Sequence, residues 1–178
     1  MQTTIQEALA ELKTIASRIQ KKKELVQRYL VRQEQFKDPH EKDGGSIALI
    51  AREIQAIHDL EERIIAIRSA IQKKNLEITV TVKATTRTIH DWLQWRRNIL
   101  PGTQQFLQLL WNQIQSVRQD AMKKGIATVQ DPSQAKTNEV IVNVNEAELG
   151  KKIEDLAEVV GTLDGQLSLK NATTVVEI

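Results

Sequence analysis

Residues 88–99, TIHDWLQWRRNI, repeat the pattern of residues 4–15, TIQEALAELKTI. Each stretch opens with Thr-Ile, passes through a polar residue and an acid to an apolar or aromatic position, and then places Leu. A threonine with an acid three residues later marks a helix start, because each side chain can satisfy an amide that the first turn leaves free. Thr4 with Glu7 and Thr88 with Asp91 both carry that signal. The fold depends on how far the echo extends.

From the first copy onward there is no Pro or Gly before Phe36. Ile5, Leu12, Ile19 and Val26 lie seven apart, with Leu9, Ala16 and Leu30 interleaved and Lys23 interrupting. This heptad seam predicts a helix from Thr3 or Thr4 to about Phe36. Pro39 and Gly44-Gly45, within KDPHEKDGG at 37–45, end it and permit a reversal. Ile50, Ile57, Ile64 and Ile71, flanked by Ile47, Ile54, Leu60 and Ile67, predict a second helix over 46–74, antiparallel to the first. Asn75 reads as a left-handed stop. In LEITVTVKATT the period then falls to two, with Ile78, Val80 and Val82 against Thr79 and Thr81, which predicts a strand with one buried face.

The second copy follows the same order. A helix to about Asn98 is interrupted at Leu100-Pro101-Gly102 and continues over 103–123 with Phe106, Leu107, Leu110, Ile114 and Val117. After Gly125, GIATVQ and EVIVNVN, joined by DPSQAKTN, predict a β-hairpin. A last helix over 146–170 carries Leu149, Ile153, Leu156, Val160, Leu163 and Leu167, and NATTVVEI reads as a terminal strand. A shift of 84 aligns Ile5 with Ile89, Leu9 with Leu93, Ile15 with Ile99, Leu25 with Leu109, Val26 with Leu110 and Leu30 with Ile114. A shift of 96 aligns Ile57 with Ile153, Leu60 with Leu156, Ile64 with Val160, Ile67 with Leu163, Ile71 with Leu167, Asn75 with Asn171, Val80 with Val176 and Val82 with Ile178. The shifts differ by 12, an insertion that falls on the expected β-hairpin.

These features predict a mainly α fold with a small β part: a long antiparallel helical hairpin, duplicated as helix-turn-helix-strand halves, with a β-hairpin insert in the second. The halves are a first repeat, 1–85, and a second, 86–178. Lys and Arg total 25 against 23 Asp and Glu, a net charge of +2 that gives no bulk attraction for nucleic acid or membranes. The chain has no cysteine, so disulfides, thiolate metal sites and cysteine nucleophiles are excluded. The start MQTTIQEALAEL lacks the pattern of a signal peptide, and no stretch has a membrane helix's apolar length, so the expected location is cytoplasmic, or a virion if phage-encoded.

The succession of EALAEL, IQKKN, the threonine-rich strand, TIHDWLQWRRNI and LDGQLSLKNATT resembles the septicolysin-like family of small helical proteins from bacteria and their phages. The resemblance is spread over most of the chain and implies a helical protein; the family's name implies pore formation. It supplies no catalytic residues. The tryptophan-rich second start and the longer insert depart from it.

Trp92 and Trp95 stand three apart on one helix, with Trp111 beyond the proline. Aromatic clusters can stack on a sugar or a base. All three tryptophans are instead expected to be structural, filling the junction between halves or an oligomer interface, joined there by Val175, Val176 and Ile178 of the terminal strand. His40, His58 and His90 form no metal-binding pattern, and His58 with Glu62 reads as a surface pair. QKKKE at 20–24 and Arg96-Arg97 read as solvated helix faces, and Gly161 with Gly165 as a site of close helix packing. With neither a phosphate loop nor a GxSxG serine, no cofactor and no small-molecule substrate is expected. The expected function is a non-enzymatic structural or assembly protein, homo-oligomeric and suited to contact other virion proteins. A membrane-active pore former and a nucleic-acid-binding helical protein are the alternatives.

Overall fold

The computed structural model describes residues 2–178, and it is mainly α with a small β part. In chain order the elements are β1 (Gln2–Thr4), α1 (Ile5–Tyr29), α2 (Gly45–Glu77), β2 (Thr79–Val82), β3 (Thr85–Thr88), α3 (Ile89–Gln94), a π-helical turn (Trp95–Ile99), α4 (Leu100–Lys123), β4 (Thr128–Val129), β5 (Val140–Ile141), α5 (Glu146–Thr173) and β6 (Val175–Glu177). They form two compact units, one of residues up to Ile78 with Ser168–Ile178, the other of Thr79–Leu167.

In the first unit, α1 and α2 form the antiparallel hairpin that the heptads predict. Glu11 meets Arg63 and Lys22 meets Glu53, so numbers rise along one helix as they fall along the other. Ile5, Ala8, Ile15 and Ile19 bury one face of α1 against Ile67 and Ile71 of α2 and Val176 of β6. Each such aliphatic side chain contributes about 1.5–3 kcal/mol when fully buried. Thr4 caps α1: its hydroxyl accepts from the Glu7 amide while the Glu7 carboxylate accepts from the Thr4 amide. β1 pairs antiparallel with β6, Thr4 opposite Val175, Thr3 opposite Val176 and Gln2 opposite Glu177.

Two boundaries differ from the periodicity. α1 stops at Tyr29 rather than near Phe36, because residues 30–36 close their own turn: the Phe36 amide donates to the Gln33 carbonyl, and Arg32 donates to the Phe36 carbonyl. Asn75 is no left-handed stop; α2 runs to Glu77, and the Ile78 amide still donates to the Lys74 carbonyl.

In the second unit the expected long strand breaks at Lys83, whose φ of +50° turns it into a hairpin. β2 pairs antiparallel with β3, Thr79 opposite Thr88, Val80 opposite Arg87 and Thr81 opposite Thr86. Thr88 caps α3 through the Asp91 amide. The insert is not the antiparallel hairpin expected: β4 and β5 pair parallel. Between them the Asp131 carboxylate caps a short turn at Pro132–Gln134, and Asn138 takes a φ of +76°, so the chain returns to its starting side before it pairs again. Ile114, Val142 and Leu149 form the core between α4 and α5, with Leu107, Leu110, Trp111 and Ile153 packed on it.

The two antiparallel strand pairs share one register under the shifts of 84 and 96. Shifts of 84 and 96 turn Thr4 opposite Val175 into Thr88 opposite Thr79, and Thr3 opposite Val176 into Arg87 opposite Val80. Ile5 and Ile89, Ala8 and Trp92, Ile67 and Leu163, and Val80 and Val176 are all buried. In each case the strand leaving a repeat's second helix pairs with the strand that starts the other repeat. The compact units therefore do not follow the 1–85 and 86–178 division: β6 closes the first unit, and β2 opens the second.

The shift of 84 holds only as far as the π-helical turn. Ile99 is 55% exposed, whereas Leu100 is 6% exposed and takes the place of buried Ile15. The π-helical turn absorbs one extra residue, with the Leu100 amide reaching back five residues to the Trp95 carbonyl. Beyond it the shift is 85: half-buried Leu25 and Val26 match half-buried Leu110 and Trp111, while Leu109 is exposed. The wide turn lies just before Pro101, which has no amide to donate and whose ring would crowd the Arg97 carbonyl in a regular helix. Deleting Arg97 together with Pro101→Ala should restore a regular helix and leave the thermal midpoint within a few degrees of the parent. Deleting Arg97 alone should cost about 3 kcal/mol. Helicity and melting followed by circular dichroism compare the two, and equal losses would reject the one-residue insertion.

Candidate functional site

The tryptophan pair is built into the second unit. Trp92 is 3% exposed, its indole N–H donates to the Val80 carbonyl at 2.9 Å, and its ring meets Trp95 edge-on at 5.5 Å. The Arg87 guanidinium lies 5.1 Å from the centre of the Trp92 ring. With edge, face and donor all engaged by its own chain, Trp92 has no slot for a stacked sugar or base. Trp111 joins the Ile114 cluster instead, its ring edge 3.7 Å from where a Cβ would stand on Gly150. The terminal strand divides by its pleat: Val176 is buried against Ile5, Val175 is 46% exposed and Ile178 is half-buried. Trp92 and Val176 are thus internal and not free for an oligomer interface; each packs against residues of the other sequence half, Trp92 on Val80 and Val176 on Ile5.

Ser46 and Asp38, not singled out in the sequence, meet His40 at the hairpin end of the first unit. Asp38 accepts the Ser46 hydroxyl at 2.8 Å, the Ser46 amide at 2.8 Å and the His40 amide at 2.9 Å. The His40 ring turns away to meet Tyr29 edge-on at 4.6 Å. A catalytic relay needs the imidazole between the hydroxyl and the carboxylate. Here the carboxylate holds the serine directly, so the trio is a clamp that closes the loop and starts α2. Those donated bonds, from the Ser46 amide first, hold the Asp38 carboxyl at about 2, below its ordinary 3.8. A depressed carboxylate stabilises the fold above its ordinary value and ceases to do so as pH falls through the lowered one. Protection of the Ser46 amide from hydrogen exchange should therefore fall between about pH 4 and 2, and Asp38→Asn should abolish that step.

The basic runs are partly neutralised: Lys22 pairs with Glu53 at 2.7 Å and Arg96 with Asp164 at 2.6 Å. Lys83 bridges Asp155 and Glu158, both at 2.8 Å, and these bonds raise its pKa. Among the described residues no group of three His, Asp or Glu side chains could hold a metal ion. No helix among them is long and apolar enough to cross a membrane. The groove between α2 and β6, about 430 Å³, has Lys74 paired to Glu77 and Gln2 to Glu177 along its walls. Gly161 and Gly165 are not a packing site, since a Cβ at either would meet nothing within 4 Å. Glycine in a helix interior costs about 0.5–1 kcal/mol relative to alanine. Gly161→Ala with Gly165→Ala should therefore add about 1–2 kcal/mol in urea unfolding; destabilisation would show contacts there.

Two groups of exposed apolar side chains bear on association. At the hairpin end of the first unit Val31 and Ile47 are each 86% exposed, and Leu30, Phe36 and Ile54 are more than half exposed. On α4 of the second unit Phe106 and Leu109 are also more than half exposed. Compared with protein-family models, with curated proteins and with solved structures, the chain matches none.

Proposed function

We propose that the protein is a non-enzymatic structural component that assembles through its helical surfaces, with copies of itself and with other proteins of a particle such as a phage virion. The observation carrying this reading is the hairpin end, where five large apolar side chains stand in solvent although the core beside them is closed. Clustered exposed apolar residues mark protein or membrane contacts. The polar groups lend the reading support: the serine and histidine belong to a loop clamp, and many of the charges are paired along helix faces. Light scattering should give a mass above that of one chain at tens of micromolar. Val31→Lys with Ile47→Lys should lower it without changing helicity, since both positions are solvated. A monomeric parent would reject self-association.

The same tip carries Arg32, Lys37, Lys42 and Arg52 beside Glu34, Asp38, Glu41 and Asp43, so it is the exposed apolar side chains that also suit the membrane-active reading implied by the septicolysin-like resemblance. Dye release from liposomes containing anionic lipid, lost in the double lysine variant, would favour that alternative. Intact liposomes at micromolar protein reject it.

A further inference from the structure

The chain carries no charged or histidine residue from Asn98 to Val117, although 27% of its residues are charged. Nearly all of that run lies on α4. One stripe of the helix, Leu107, Leu110, Trp111 and Ile114, faces the unit's own core. A second stripe is exposed: Gln105, Gln108, Leu109, Asn112, Gln113 and Ser116, each with a neighbour three or four residues away, share one face and line a shallow groove along the helix. Phe106 stands beside it, more than half exposed. A solvated helix face is ordinarily held in water by lysine and glutamate.

The composition of this stripe selects its occupant. Across a twofold axis each residue meets its own copy or a near neighbour's. Lysine would then face lysine and glutamate would face glutamate, whereas an amide carries both donor and acceptor and pairs with itself. A neutral stripe of amides and apolar side chains is thus self-complementary, and depletion of charge is what marks the centre of protein interfaces. Gln108 already donates to Asn112 at 2.9 Å along the helix, which leaves each amide capacity for a second partner.

We infer that the exposed face of α4 is a contact for a second copy of this chain, two α4 helices packing antiparallel about a twofold axis through Leu109 and Asn112. This inference rests on the self-association proposed above and specifies its surface. A stripe of about three turns is small beside a standard interface, so the contact is expected at micromolar concentrations or weaker.

The absence of cysteine makes a direct test available. Leu109→Cys and Asn112→Cys should each form a disulfide-linked dimer under mild oxidation, while Lys151→Cys, exposed on α5, should not. In parallel, Gln113→Lys and Gln113→Glu should each weaken association at least tenfold in sedimentation at low salt, and an equimolar mixture of the two should recover it. Cross-linking at 109 and 112 with recovery in the mixture supports the contact. If the parent associates but neither Gln113 variant weakens it, or if Lys151→Cys cross-links as readily, the α4 contact is rejected while assembly through the hairpin tip stands. A parent that is monomeric throughout removes both.

Discussion

Everything in this chain hangs on two short antiparallel ladders, each of which ties the capped start of a helix to the chain leaving another. At one, Thr4 is opposite Val175 and the Ile5 amide donates to the Thr174 carbonyl; at the other, Thr88 is opposite Thr79. Three or four residue pairs make a weak sheet, and a two-stranded ladder alone is marginal in water. Packing makes up the difference. Val176 and Val80 are the inward residues of β6 and β2, and Ile5 and Ile89 are the first residues of α1 and α3; all four are fully or almost fully buried. At about 1.5–3 kcal/mol each, these side chains outweigh a cap of about 1 kcal/mol and net backbone bonds of about 1 kcal/mol apiece.

The ladders also mark where the two halves correspond and where they differ. Near the caps the two copies match residue for residue, and even the exchange of Ala8 for Trp92 leaves both positions buried. Away from the caps they part. The first copy turns at Tyr29 into a loop clamped by Asp38, whereas the second passes through a π-helical turn and continues as helix to Lys123. A helix end distant from its ladder is constrained only by its partner helix, so insertions collect there.

The features legible in the sequence were those set by local chemistry. Thr4 with Glu7, Thr88 with Asp91, the isoleucine heptads of α2 and the alternation of Val80 and Val82 each encode their element over a few residues. β1 and β3 were not legible, because Gln2-Thr3-Thr4 and Thr85–Thr88 are polar and become strands only where a partner strand lies alongside. The π-helical turn was hidden for a related reason: Pro101 signals trouble, but its consequence falls on the preceding turn. Of the candidate surfaces, the tryptophans drew notice because they are rare, yet Trp92 proved to be core. The α4 stripe was written in common residues, and the outward face of that helix is decided by Ile114 and Leu149 meeting elsewhere.

The terminal strand bears on how copies can meet. β6 is committed to β1, with Val176 sealed against Ile5. β1 and β6 thus pair antiparallel as β2 and β3 do, but without a short turn joining them. The described strands form three ladders two to four residues long, and edges so short are poor templates for pairing. Strand exchange would have to break the cap region on which the first unit depends, at a cost of several buried aliphatic side chains. Helix faces carry no such cost. The neutral stripe of α4 and the apolar hairpin end can be covered by a partner without disturbing a single ladder bond, so association is expected to proceed through helices and to leave the strands as internal fasteners.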